Sequence, residues 1–160
     1  MTGLEPYRDD GPLVTWLRSK VGTRTPVGAG TGPVTWIVPP LLRLFEYGSL
    51  ITLTVLTDRN ALPLCFAFLG VLAFHHYDTV YRLRHQGRPP SPWVRAVGGG
   101  WDGRLLMASL LALTDTLRFG FVAATVGLAL VYAAESAVSW ARFAQVPQLA
   151  PDEDGDADIE

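Results

Sequence analysis

Apolar positions in this chain collect into long runs separated by short polar breaks, and those breaks set the predicted elements. The first run, from about Trp36 to Leu56, predicts a membrane span with Trp36 as its interfacial anchor. Pro39 and Pro40 fall in its first turn, where missing N–H groups cost nothing. Asp58-Arg59-Asn60 then reads as a tight turn. A second helix starts near Ala61, stays apolar to about Phe74, and continues past the bilayer edge towards Gly87, a natural stop. Residues 86–101 contain Pro89, Pro90, Pro92 and Gly98-Gly99-Gly100 and are expected to form a loop. Leu105 to Trp140 is a predominantly apolar run of 36 residues, broken by Thr114-Asp115-Thr116 and by Arg118 with Gly120. A single span needs only about 20 residues, so a reversal near 115–120 and two short helices are expected, with one long helix as the alternative.

These elements predict an all-α, polytopic membrane helical bundle of about four transmembrane helices. Residues 1–33 form a polar N-terminal segment, 34–143 the transmembrane domain, and 144–160 an acidic tail expected to be disordered. Within the first segment, Leu13 to Leu17 is a short amphipathic patch suited to the membrane surface. Gly28-Ala29-Gly30-Thr31-Gly32-Pro33 has no preceding strand and is interrupted by Pro33, so it reads as a linker and not as a phosphate loop.

Composition agrees with a membrane class: 49% of the 160 residues are hydrophobic, and the mean hydropathy of +0.22 is high for a soluble domain of this size. The net charge of -2 conceals an asymmetry, because six of the 15 acidic residues lie between Asp152 and Glu160. Of the 13 basic residues all but Lys20 are arginine, which with abundant Ala, Gly, Val and Pro suggests a GC-rich bacterial genome. The single cysteine, Cys65, excludes an intrachain disulfide and any multi-cysteine metal site, and reads as a small packing residue. Glu5, Asp9 and Asp10 stand where a signal peptide would carry its apolar core, so insertion through internal helices is expected.

The arginines also give an orientation. With four spans, Arg8, Arg18, Lys20, Arg24, Arg82, Arg84, Arg88, Arg95, Arg104 and Arg142 share one face, against Arg59 and Arg118 on the other. The positive-inside rule then puts both termini in the cytosol and the chain in the bacterial cytoplasmic membrane as a multi-pass protein. Because topology accounts for the basic residues, nucleic acid is not an expected partner.

The candidate chemistry gathers at the cytosolic edge of the second helix. His75, Asp78, Arg82 and His85 follow one another at i, i+3, i+7 and i+10, on one stripe. A carboxylate, a guanidinium and imidazoles at the bilayer edge suit a phosphate or metal-phosphate head group. The competing reading is a polar interface whose cations complement the helix dipole. Arg43 and Glu46, three apart, read as an intramembrane ion pair that Glu135 could join from a neighbouring helix, and the functional alternative makes Arg43 a phosphate ligand. Asp102 reads as an N-cap for the third span, with a metal-ligand role as the alternative.

Four blocks, Trp36 to Arg43 with Glu46-Tyr47-Gly48, His75 to Arg84, Trp101-Asp102-Gly103-Arg104, and Glu135-Ser136 with Ser139-Trp140, fall in one order. In that order they resemble an uncharacterised actinobacterial integral membrane domain that typically lies C-terminal to a CDP-alcohol phosphatidyltransferase module. The resemblance covers about residues 24–143 and implies association with phospholipid head-group chemistry. The neighbouring enzyme family's signature is Asp-Gly, two residues, Ala-Arg, eight residues, Gly, three residues, Asp, three residues, Asp, and its carboxylates hold divalent cations. This chain keeps only fragments of it. Thr79 follows Asp78 where Gly belongs, Arg82 comes one position early, the interval to Gly98 is six residues too long, and Leu106 replaces the last carboxylate.

Two functions are therefore expected to compete. The first is a membrane accessory module, non-catalytic on its own, that docks beside a CDP-alcohol phosphatidyltransferase in trans and contacts membrane lipid, with a homo-oligomer as a further partner option. The alternative is a small Mg2+-dependent transferase acting on a CDP-linked or phosphate-bearing lipid. In it Asp78 and Asp102 hold the metal, Arg43, Arg82 and Arg104 bind phosphate, and His75, His76 and Asp78 carry the catalysis. It requires Asp78 and Asp102 to converge.

Overall fold

A computed structural model describes residues 9–21 and 37–145. The linker at 28–33, the anchor Trp36 and the acidic tail beyond 145 lie outside the described residues. The elements are α1 (Pro12–Val21), α2 (Val38–Thr57), a 3-10 turn (Arg59–Ala61), α3 (Leu62–His85), α4 (Pro92–Gly98), α5 (Gly100–Leu113) and α6 (Leu117–Ala144), with no strand among the described residues.

Local chemistry explains most of the boundaries. Proline occupies the first positions of α2, α3 and α4, where a missing N–H removes no helical hydrogen bond. The Asp58 carboxylate accepts from the Asn60 amide at 3.0 Å and forms the turn between α2 and α3. Beyond His85 the chain leaves the helix through Gly87, whose φ of 64° is the left-handed conformation that ends helices. The reversal between α5 and α6 falls at Thr114-Asp115-Thr116, so two helices and not one fill the last apolar run. Thr114 Oγ1 donates to the Leu110 carbonyl at 3.1 Å there and lies 2.8 Å from Thr116 Oγ1.

One expectation is corrected. The 86–101 segment is not all loop, because Trp93 to Val97 form a helical turn with Pro92 as its first residue and Gly98 as its last. Breaker residues sit here at the two positions where a helix accepts them.

Short turns make α2 antiparallel to α3 and α5 antiparallel to α6, while α3 packs chiefly on α6 and α2 on α5. The core holds Leu50, Cys65, Phe68, Leu72, Ala108, Leu117 and Phe121, with Cys65 fully buried as a packing residue. Phe68 and Phe121 join α3 to α6 with ring centres 5.6 Å apart.

The outer faces remain apolar. Leu44, Phe66, Leu113, Phe119 and Leu130 are all exposed. Two helical stretches, Arg59–His85 and Leu117–Ala144, are long and apolar enough to cross a membrane, and only 33% and 17% of their most apolar windows are buried inside the protein. The core helix of a soluble protein would bury most of that surface.

Candidate functional site

Charged side chains from the starts of α2 and α5 and the ends of α3 and α6 meet at one end of the bundle, in two clusters. In the first, Glu46 is fully buried and accepts from Arg104 Nε at 2.6 Å and from Arg43 at 2.8 Å. Arg104 also donates to Asp9 at 2.8 Å and to the Gly98 carbonyl at 2.9 Å. Asp9 lies 3.9 Å from Arg43 and 3.5 Å from His76 Nε2, whose Nδ1 meets the Tyr47 hydroxyl at 3.1 Å. Burial pushes the Asp9 carboxyl up, but the hydrogen bond with His76 and the charges of Arg104 and Arg43 outweigh it, holding the group well below the usual carboxylate range.

The second cluster centres on Arg82, almost completely buried on α3. Its Nε donates to Asp78, one turn earlier, at 2.7 Å. Its two terminal nitrogens form a fork with Glu135 on α6, one of them at 2.8 Å. Asp78 is completed by Ser136 at 2.9 Å and Trp140 Nε1 at 3.2 Å. His75 stacks on Tyr132 with centroids 3.9 Å apart and planes 12° from parallel. His75, Asp78 and Arg82 therefore do share a buried face, whereas His85 is exposed at the helix end and stacks on Tyr81.

Two candidate roles change with this geometry. Glu135 does not join Arg43 and Glu46, since its position on α6 faces α3 and gives it to Arg82. Asp102 does not cap its own helix, which starts two residues earlier at Gly100. Its carboxylate instead accepts from the amides of Gly11, Leu13 and Val14 at 2.5, 2.7 and 3.0 Å, satisfying free N–H groups at the start of α1.

That contact ties the N-terminal segment to the bundle, a role that sequence spacing missed along with Asp9 and Asp10. Asp10 pairs with Arg18 at 2.7 Å, and the Trp101 amide donates to the Asp9 carbonyl at 3.1 Å. Gly100, at φ 65°, lies so close to Gly11 that a Cβ would collide with its backbone. The only sequence hint is the run Asp9-Asp10-Gly11-Pro12, with acids just ahead of a proline that can open a helix.

The arrangement does not fit a shared divalent ion. Asp78 is engaged by a guanidinium, a hydroxyl and an indole, Asp102 by three backbone amides, and the two have no partner in common. Among the described residues no three His, Cys, Asp or Glu side chains gather as metal ligands would. Arg43, Arg82 and Arg104 each already face carboxylates, so a phosphate would have to displace them.

Fold and site together define an all-helical protein with two helices of membrane length and a buried, internally paired ion network at one end. The chain belongs to a family of unknown function, DUF5941, which it matches over residues 13–158. No curated protein and no solved structure matches it.

Proposed function

We propose that this chain is a four-span membrane accessory module with both termini in the cytosol, not catalytic on its own, that docks beside a CDP-alcohol phosphatidyltransferase in the bacterial cytoplasmic membrane. The observation that supports a structural role is the pairing of Arg43, Arg82, Arg104, Asp78 and Asp102 with protein groups. Packing and polar contacts must hold helices together in lipid, where the hydrophobic effect between them is lost. A paired network spanning α2, α3, α5 and α6 provides such contacts at the end where the arginines concentrate. The link to phosphatidyltransferase chemistry comes from the resemblance of the four sequence blocks.

Deletion of the chain from its host tests the reading. The amount or activity of a membrane CDP-alcohol phosphatidyltransferase should fall and should recover when the chain is restored. Turnover of a CDP-alcohol lipid by the purified chain with Mg2+, or an unchanged phosphatidyltransferase after deletion, would overturn it.

A further inference from the structure

A groove of about 940 Å³ opens between the end of α3, the segment leading into α4 and the C-terminal half of α6. Along α6, Leu130, Ala134, Val138 and Arg142 follow each other at four-residue intervals on its wall. The lining thus passes from apolar to cationic over about 18 Å of helix, at 1.5 Å per residue. Arg88 stands on the same lining, and neither Arg88 nor Arg142 has an acidic partner among the described residues.

The floor is already neutralised in part, since Glu135 is held in the fork of Arg82. Counting Asp78 behind Arg82, the groove still carries an excess of positive charge from Arg88 and Arg142. Gln86 also lines it. The Gln86 Oε1 accepts from Ser139 at 3.2 Å, but its Nε2 is a buried donor with no acceptor among the described residues. An unmet donor on the same lining as two guanidiniums without an acidic partner among the described residues, at the polar end of an apolar stripe, matches one amphiphile.

We propose that this groove binds one anionic glycerophospholipid, its phosphate between Arg88 and Arg142 and an acyl chain along Leu130, Ala134 and Val138. The Arg82–Glu135 pair of the ion network forms the floor of this groove, but the phosphate contacts fall to Arg88 and Arg142, and the site does not depend on a phosphatidyltransferase partner. A zwitterionic lipid carries no net negative charge to balance these arginines, and free phosphate lacks the chain that covers the stripe.

Native mass spectrometry of the full chain in an uncharged detergent tests this, with phosphatidylglycerol, phosphatidylcholine and inorganic phosphate as probes. One phosphatidylglycerol should be retained per chain, and R88Q/R142Q should weaken its binding roughly tenfold or more. R88K/R142K should restore most of it, and R84Q, a cation outside the groove, should leave it unchanged. Phosphatidylcholine and phosphate should bind much more weakly. Equal retention of phosphatidylcholine, equal binding by R88Q/R142Q, or phosphate binding as tight as the lipid would overturn the proposal. So would lipid-free chains in which cross-linking shows the acidic C-terminal tail on Arg142.

Discussion

Replacing Glu46 by Gln removes one carboxylate from a fully buried position where two guanidiniums converge. The amide can still accept one hydrogen bond, but its NH2 group must face a cation. Losing one partner of a buried ion pair costs about 3–5 kcal/mol, mostly because the remaining charge stays buried. Arg104 keeps Asp9 and the Gly98 carbonyl, which places the expected loss near the lower end, about 3 kcal/mol. That is somewhat more than a hundredfold in the folding equilibrium, at about 1.4 kcal/mol per factor of ten. Equilibrium unfolding by SDS in mixed micelles, followed by circular dichroism, reads it directly. The double variant E46Q/R104Q should lose less than the sum of the singles, since each single strands the other's charge. A loss below about 1 kcal/mol, with additive doubles, would refute the claim that this cluster locks α2 to α5.

The N-terminal segment gives a pH test. The folded Asp9 carboxyl lies below its unfolded value of about 3.9, so its contribution is fully present above that value and is lost as pH falls through the folded one. Wild type should therefore lose stability more steeply below about pH 4 than Asp9→Asn, and parallel profiles would contradict the assignment. Asp102→Leu strips the amides at the start of α1 of their acceptor and should cost about 1–2 kcal/mol. It should also expose Arg18 and Lys20 to trypsin sooner than in wild type, and unchanged cleavage would show that α1 is held by other means. Gly100→Ala should release the same segment, because its Cβ meets the Gly11 backbone and its φ of 65° disfavours a side chain. At the opposite end, Arg118→Gln removes an exposed pair with Asp58 and should leave unfolding unchanged; a large loss there would contradict the account of where the bundle is held.

Sequence periodicity reveals partners within one helix, and the site was legible to that extent. Arg43 with Glu46 and Asp78 with Arg82 lie at the three- and four-residue spacings that bring side chains together on a helix face. The long apolar runs and the break at Thr114 to Thr116 likewise marked the helices. What stayed hidden were contacts between distant segments. Arg104 reaches Asp9 across 95 positions, Arg82 reaches Glu135 across 53, and Asp102 serves a helix that starts 90 residues before it. No local pattern encodes those pairings, because they follow from which helix faces meet after packing. The turn of α4 was hidden differently, since its prolines and glycines read as breakers until their places at its two ends are known.

The most direct test of a structural rather than metal-binding cluster is thermal unfolding of the detergent-purified chain with CDP-diacylglycerol and Mg2+, each alone and together, in wild type and Asp78→Asn. Mg2+ should add nothing to any shift from the lipid, and Asp78→Asn should lower stability without changing that shift. A joint lipid and Mg2+ shift in wild type, abolished by Asp78→Asn, would contradict it and make Asp78 a ligand of a metal-phosphate site.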